Sequence, residues 1–94
     1  MIQSEIPTLV DFSAEWCGPC KMMKPVLAEL KARIGDKARI IQVDVDRNQQ
    51  MAAALQIRGV PTLILYQNGE IKWRQSGVVQ PGVLEEIILR HVNA

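Results

Sequence analysis

The stretch Val10–Pro25, VDFSAEWCGPCKMMKP, contains both cysteines of the chain, Cys17 and Cys20, with only Gly18 and Pro19 between them. An apolar run interrupted by Asp11 leads into the pair, and a segment with helical spacing follows it. Two sulfurs so placed can be a staple, half of a metal site, or a reactive pair. The staple is weak, because such a short bridge closes almost no loop and the entropic gain of a disulfide grows with loop length. A structural zinc site wants four Cys or His ligands. The chain offers two cysteines and one histidine, His91, far away near the C-terminus. No metal site is expected, and His91 reads as a surface residue near the end of a helix.

The reactive pair fits the local pattern. Cys17 lies just before a predicted helix, where free N–H groups and the positive end of the helix dipole favour a thiolate. Cys20 lies one turn further in, within reach of a disulfide. Gly18 permits close approach of the chain, and Pro19 pre-sets a helical φ at a position that needs no N–H. The layout suits thiol–disulfide exchange, with Cys17 attacking and Cys20 resolving.

Outward from this stretch, four strands are predicted, over Pro7–Ser13, Ala38–Val45, Thr62–Tyr66 and Ile71–Gly77, the last at a sheet edge. Asn68-Gly69 supplies the hairpin between the last two. Three helices are predicted: Gly18–Ile34 with Gly35 as its stop and a kink at Pro25, about Gln49–Leu55 with Asp46 or Asn48 as cap, and one from Pro81 carrying Leu84, Ile87, Ile88 and Val92 on one stripe. The order β-α-β-α-β-β-α implies a parallel pair with a right-handed crossover, then an antiparallel pair. We therefore expect one α/β domain over residues 1–94, a small mixed sheet of about four strands with helices on both faces.

The 94 residues are 48% hydrophobic and 22% charged, with net charge +1. That balance gives no reason to propose nucleic acid or an anionic membrane as partner. No apolar run approaches the length of a spanning helix. Residues 1–5 lack the basic and apolar regions of a signal peptide, which points to the cytoplasm.

The stretch EWCGPCK, preceded by VDF and followed by a proline-interrupted helix, resembles the thioredoxin family. So do RGVPT at Arg58–Thr62, NGE at Asn68–Glu70 and the glycine at Gly77. The matches are in order and run from about residue 7 to the C-terminus. The resemblance implies a thioredoxin-like fold and a protein disulfide reductase. It implies no bound cofactor, with electrons supplied by a thioredoxin reductase that depends on NADPH or ferredoxin. It makes Trp16 part of an apolar docking surface. It makes Pro61 a cis-proline that leaves the backbone of Val60 free to pair with an extended substrate segment, with Gly59 and Gly77 keeping that surface flat. Asp11 should be buried on a central strand, with a raised pKa, and serve as proton acceptor for Cys20.

Three departures from the family pattern stand out. Ser13 occupies a position that is commonly aromatic, often Trp, and so leaves a more open environment beside Asp11. Gln42 stands where a Lys is often found, which should raise the Asp11 pKa further. Only about six residues precede the first predicted strand. The family has another strand and helix there, so the chain resembles a thioredoxin truncated at its N-terminus. The strand Ala38–Val45 would then be an open edge suited to weak self-association.

The main alternatives are a disulfide oxidase or isomerase in an oxidising compartment, and a non-catalytic thioredoxin-fold binding module. The Gly-Pro dipeptide between the cysteines favours the reductant. The presence of Cys17, Cys20, Asp11 and Pro61 together disfavours the binding module.

Overall fold

The computed structural model describes residues 5–92. Strands β1 (Thr8–Ser13), β2 (Arg39–Asp44), β3 (Thr62–Gln67) and β4 (Glu70–Ser76) alternate with helices α1 (Gly18–Ile34), α2 (Gln49–Ala54) and α3 (Pro81–Val92). The sheet order is β2-β1-β3-β4. Strand β1 runs parallel to β2 and antiparallel to β3, and β3 runs antiparallel to β4.

Alternation along the central strands sorts their side chains onto two faces. Leu9, Leu63 and Leu65 meet Met23, Leu27, Leu30 and Ile34 of α1 and Leu84 and Ile88 of α3 in one buried cluster. Val10, Phe12, Ile64 and Tyr66 form the opposite face, covered in part by Leu55 and Ile57 after α2. Asp11 shares the α1 face with Leu9, flanked in register by Gln42 and Leu63. The most buried layer of the sheet thus carries a carboxylate.

Several predicted boundaries move by a residue, for local reasons. Gln67 belongs to β3 and Glu70 to β4, because they close the hairpin as a pair. Asn68 and Gly69 between them have φ of 54° and 78°, the left-handed pair that an Asn-Gly turn needs. Gly77 falls outside β4, since its φ of 94° cannot continue a strand. Helix α1 ends at Gly35, whose φ is 55° and whose N–H donates to the Lys31 carbonyl. A short 3-10 turn over Gly35–Lys37, which the sequence pattern did not suggest, follows it. At α2 the cap expectation needs correction. Asn48 occupies the N-cap position, but its amide donates to the Asp44 carbonyl at 2.9 Å and no side chain caps the helix. Strand β2 pairs with β1 alone among the described residues, and Ile41 on it is exposed.

Candidate functional site

Cys17 is the N-cap of α1, with extended dihedrals, and its sulfur accepts the backbone N–H of Cys20 at 3.1 Å. Pro19 sits in the first turn, where a missing N–H leaves no ladder bond unmade. The two sulfurs are joined as a disulfide, with Cα atoms 5.3 Å apart. Once the pair is reduced, the N–H of Cys20 and the helix terminus both stabilise negative charge at Cys17.

The two sulfurs face different surroundings. Cys17 Sγ lies 3.5 Å from the Val60 carbonyl oxygen. A disulfide sulfur carries no hydrogen, so in this oxidised state the approach is a contact; a Cys17 thiol could donate there. The Val60–Pro61 peptide bond is cis. Its loop is tied from two sides. Thr62 Oγ1 donates to the Gly59 carbonyl at 2.6 Å and lies 3.1 Å from Ser76 Oγ. The Gly77 N–H donates to the Pro61 carbonyl at 2.8 Å. Trp16 is 71% exposed, and its indole N–H donates to Asp46 Oδ2 at 2.9 Å. An indole pinned at its polar edge presents its apolar body outward. Trp16, Val45, Ile57, Arg58, Gly59 and Val60 line a shallow groove of about 120 Å³.

On the other side, Cys20 lines a larger cleft of about 370 Å³ with Ser13, Lys21, Lys24, Gln42 and Asp44. The small side chain of Ser13 leaves this space open between β1 and α1. Asp11 is fully buried. Its Oδ2 accepts the Gln42 amide at 3.4 Å, and its Oδ1 has no partner among the described residues. Burial pushes the Asp11 pKa up, and the Gln42 hydrogen bond opposes this only in part.

The expected site residues divide accordingly. Trp16, Gly59, Val60 and Pro61 gather on the Cys17 side, and Gly77 buttresses Pro61. Gln42 joins Asp11 to the rim of the Cys20 cleft. The reason offered for Gly18 needs correction: apart from its chain neighbours and its own helix's backbone, a Cβ there would meet no described atom within 4 Å, and none beyond its neighbours would be met at Gly59. Neither glycine is required for packing against the described residues, and both positions are exposed. His91 bonds within its own helix, its Nδ1 lying 2.9 Å from the Ile87 carbonyl. Among the described residues no group of three or more His, Cys, Asp or Glu could hold a metal ion, and no helix is long and apolar enough to cross a membrane.

Sequence reasoning missed Asp46, Thr62 and Ser76. Thr62 had a visible signal, a hydroxyl directly after the loop proline at the start of a strand. Asp46 had none, since its partner Trp16 lies 30 residues away.

The chain matches the thioredoxin family model over residues 1–90. A thioredoxin of Haemophilus influenzae is 41% identical over 92 residues, covering 98% of this chain and 86% of that protein. One of Bacillus subtilis is 42% identical over 89 residues, covering 95% and 86%. Among solved structures, a mutant thioredoxin from Halobacterium salinarum superposes with a TM-score of 0.84 at 38% identity, covering 93% of this chain and 75% of that one.

Proposed function

The chain belongs to the thioredoxin family and is a protein thiol–disulfide oxidoreductase; from that premise we propose that it works as a general protein disulfide reductase, recycled by a thioredoxin reductase. The observation that carries this reading is the N-cap placement of Cys17, whose sulfur takes the Cys20 N–H at 3.1 Å.

In the reduced protein, Cys17 thiolate attacks one sulfur of a substrate disulfide. A mixed disulfide forms and the other substrate sulfur leaves as thiolate. Cys20 then attacks Cys17, regenerating the internal disulfide and releasing the second substrate thiol. Cys20 must lose its proton for this step, and Asp11 takes it, directly or through water. A buried carboxylate with a raised pKa is suited to that exchange near neutral pH. The substrate segment docks against Trp16 and pairs with the free backbone of Val60 beside Pro61, over the flat surface at Gly59 and Gly77. Gly18 and Pro19 hold the sulfurs at the helix start. Electrons come from the reductase, so the chain needs no bound cofactor, and the cytoplasm is where this chemistry runs in the reducing direction.

The edge of β2, unpaired among the described residues and with Ile41 exposed, supports a minor addition: weak association with a second copy through that strand. A monomeric mass by light scattering at high concentration removes it.

The test of the main reading is NADPH-coupled reduction of a protein disulfide with a thioredoxin reductase. Cys17→Ser should lower turnover by about a thousandfold or more. Activity surviving that substitution refutes the assignment.

A further inference from the structure

Helix α2 leads into the loop beside Cys17, yet it supplies little anchoring of its own. None of its six residues is buried. Past its end, Gln56 has a φ of 55°, a left-handed conformation that a non-glycine residue keeps only where its surroundings impose it. The next residues, Ile57, Arg58, Gly59 and Val60, line the groove. Whatever holds this turn therefore sets where the groove begins.

The N–H groups of the turn face back to α2. Leu55 donates to the Met51 carbonyl at 3.0 Å, Gln56 to that of Ala53 at 3.1 Å, and Ile57 to that of Ala52 at 2.9 Å. The carbonyls are held from elsewhere. Arg74 of β4 stands opposite Ile64 in register, on the sheet face that α2 partly covers. Its Nη1 donates to the Leu55 carbonyl and its Nη2 to the Gln56 carbonyl, the latter at 2.8 Å. A planar guanidinium presents two donors in a fixed fork, which a lysine does not. Among the described residues no carboxylate competes for it. The far end of the loop is also held from this side of the sheet. Ser76 Oγ lies beside Thr62 Oγ1, and the Gly77 N–H donates to the Pro61 carbonyl. The loop thus hangs from β4 and the residue after it, with Arg74 at its start and Ser76 and Gly77 at its finish.

We infer that Arg74 is a positioning residue for substrate docking. By tying the Leu55 and Gln56 carbonyls to β4, it fixes the turn from which the groove residues follow. This rests on the reading of that groove as the docking surface. Arg74 contributes affinity for an extended protein segment that fills the groove. It contributes nothing to sulfur exchange with a disulfide too small to fill it.

The experiment mixes prereduced protein with insulin or with 2-hydroxyethyl disulfide, so that no reductase enters, and follows a single turnover against substrate concentration. Arg74→Met keeps the apolar stem and removes the fork. It should raise the half-saturating insulin concentration about fivefold, and leave the limiting rate and the 2-hydroxyethyl disulfide rate within about twofold. Arg74→Lys keeps the charge without the fork and should fall between wild type and Arg74→Met. As a second readout, amide hydrogen exchange at Leu55, Gln56 and Ile57 should quicken about tenfold in Arg74→Met, with Leu9 and Val10 of β1 unchanged. Gly59→Leu is the control for the groove itself. A rise with Gly59→Leu and none with Arg74→Met overturns the role of Arg74, as does unchanged exchange in the turn or an equal loss on both disulfides. No rise with either variant overturns the docking reading, and this inference with it.

Discussion

The two sides of the Cys17–Cys20 bond are built differently. On the Cys17 side, a cis peptide loop is held by three backbone and hydroxyl contacts from Thr62, Ser76 and Gly77, and an exposed indole is fixed by Asp46. That side is shallow and largely apolar, with Arg58 on its rim. On the Cys20 side a cleft stands open, and among the described residues a buried carboxylate is half-satisfied and Lys21 and Lys24 have no partner. Binding surfaces can be held by contacts that saturate their polar groups. Proton transfer needs a group left unsaturated, because a fully bonded carboxylate would have its pKa pulled back down. Under the proposed function, the contrast corresponds to docking at one sulfur and proton transfer at the other.

Asp11→Asn should break this contrast most severely. It keeps the shape and removes the proton acceptor, so turnover should fall at least about tenfold. Stability should move the other way. A folded-state pKa above the unfolded value means the native state favours the protonated acid. That stability is fully present below the unfolded pKa and is lost as pH rises through the folded one. The variant should therefore match wild type in acid and exceed it near neutral pH, by about 1–3 kcal/mol, the usual cost of an unsatisfied buried group. Denaturant melts at acid and neutral pH check this, and equal stability at both would contradict it.

On the docking side, Gly59→Leu should raise KM for a protein disulfide by about tenfold through lost surface complementarity. Gly59 is exposed and a Cβ there meets nothing within 4 Å beyond its chain neighbours, so thermal stability should hold and reduction of a small disulfide should be spared. Equal losses on both substrates would remove the docking role.

The smallest change sharpens the proton side. Gln42→Lys places a cation where an amide now reaches Asp11 at 3.4 Å. It should lower the Asp11 pKa and move the corresponding limb of the turnover–pH profile to lower pH. Superimposable profiles would show that Gln42 does not tune the acid.

Much of the fold was legible because it rests on local signals. The α1 stripe of Met23, Leu27, Leu30 and Ile34, the stop at Gly35 and the Asn68-Gly69 turn are each decided within a few residues. So was the burial of Asp11, from its place in the apolar run of a central strand. The resemblance carried by CGPC and RGVPT supplied the roles of Trp16 and Pro61, which periodicity could not. What stayed hidden depends on distant partners. The Trp16–Asp46 bond spans 30 residues. Gln67, buried near the end of β3, donates to the backbone of both Glu5 and His91, and no sequence pattern announces it. The missing side-chain cap of α2 has a local origin instead: the Asn48 amide turns back to the Asp44 carbonyl four residues earlier.

The division of labour between the two sulfurs is tested most directly by brief alkylation of the reduced protein near neutral pH, with the modified residue located by fragment mass. A thiolate stabilised at the helix N-terminus predicts modification of Cys17 well ahead of Cys20. Modification of Cys20 first, or of both at equal rates, would contradict the assignment.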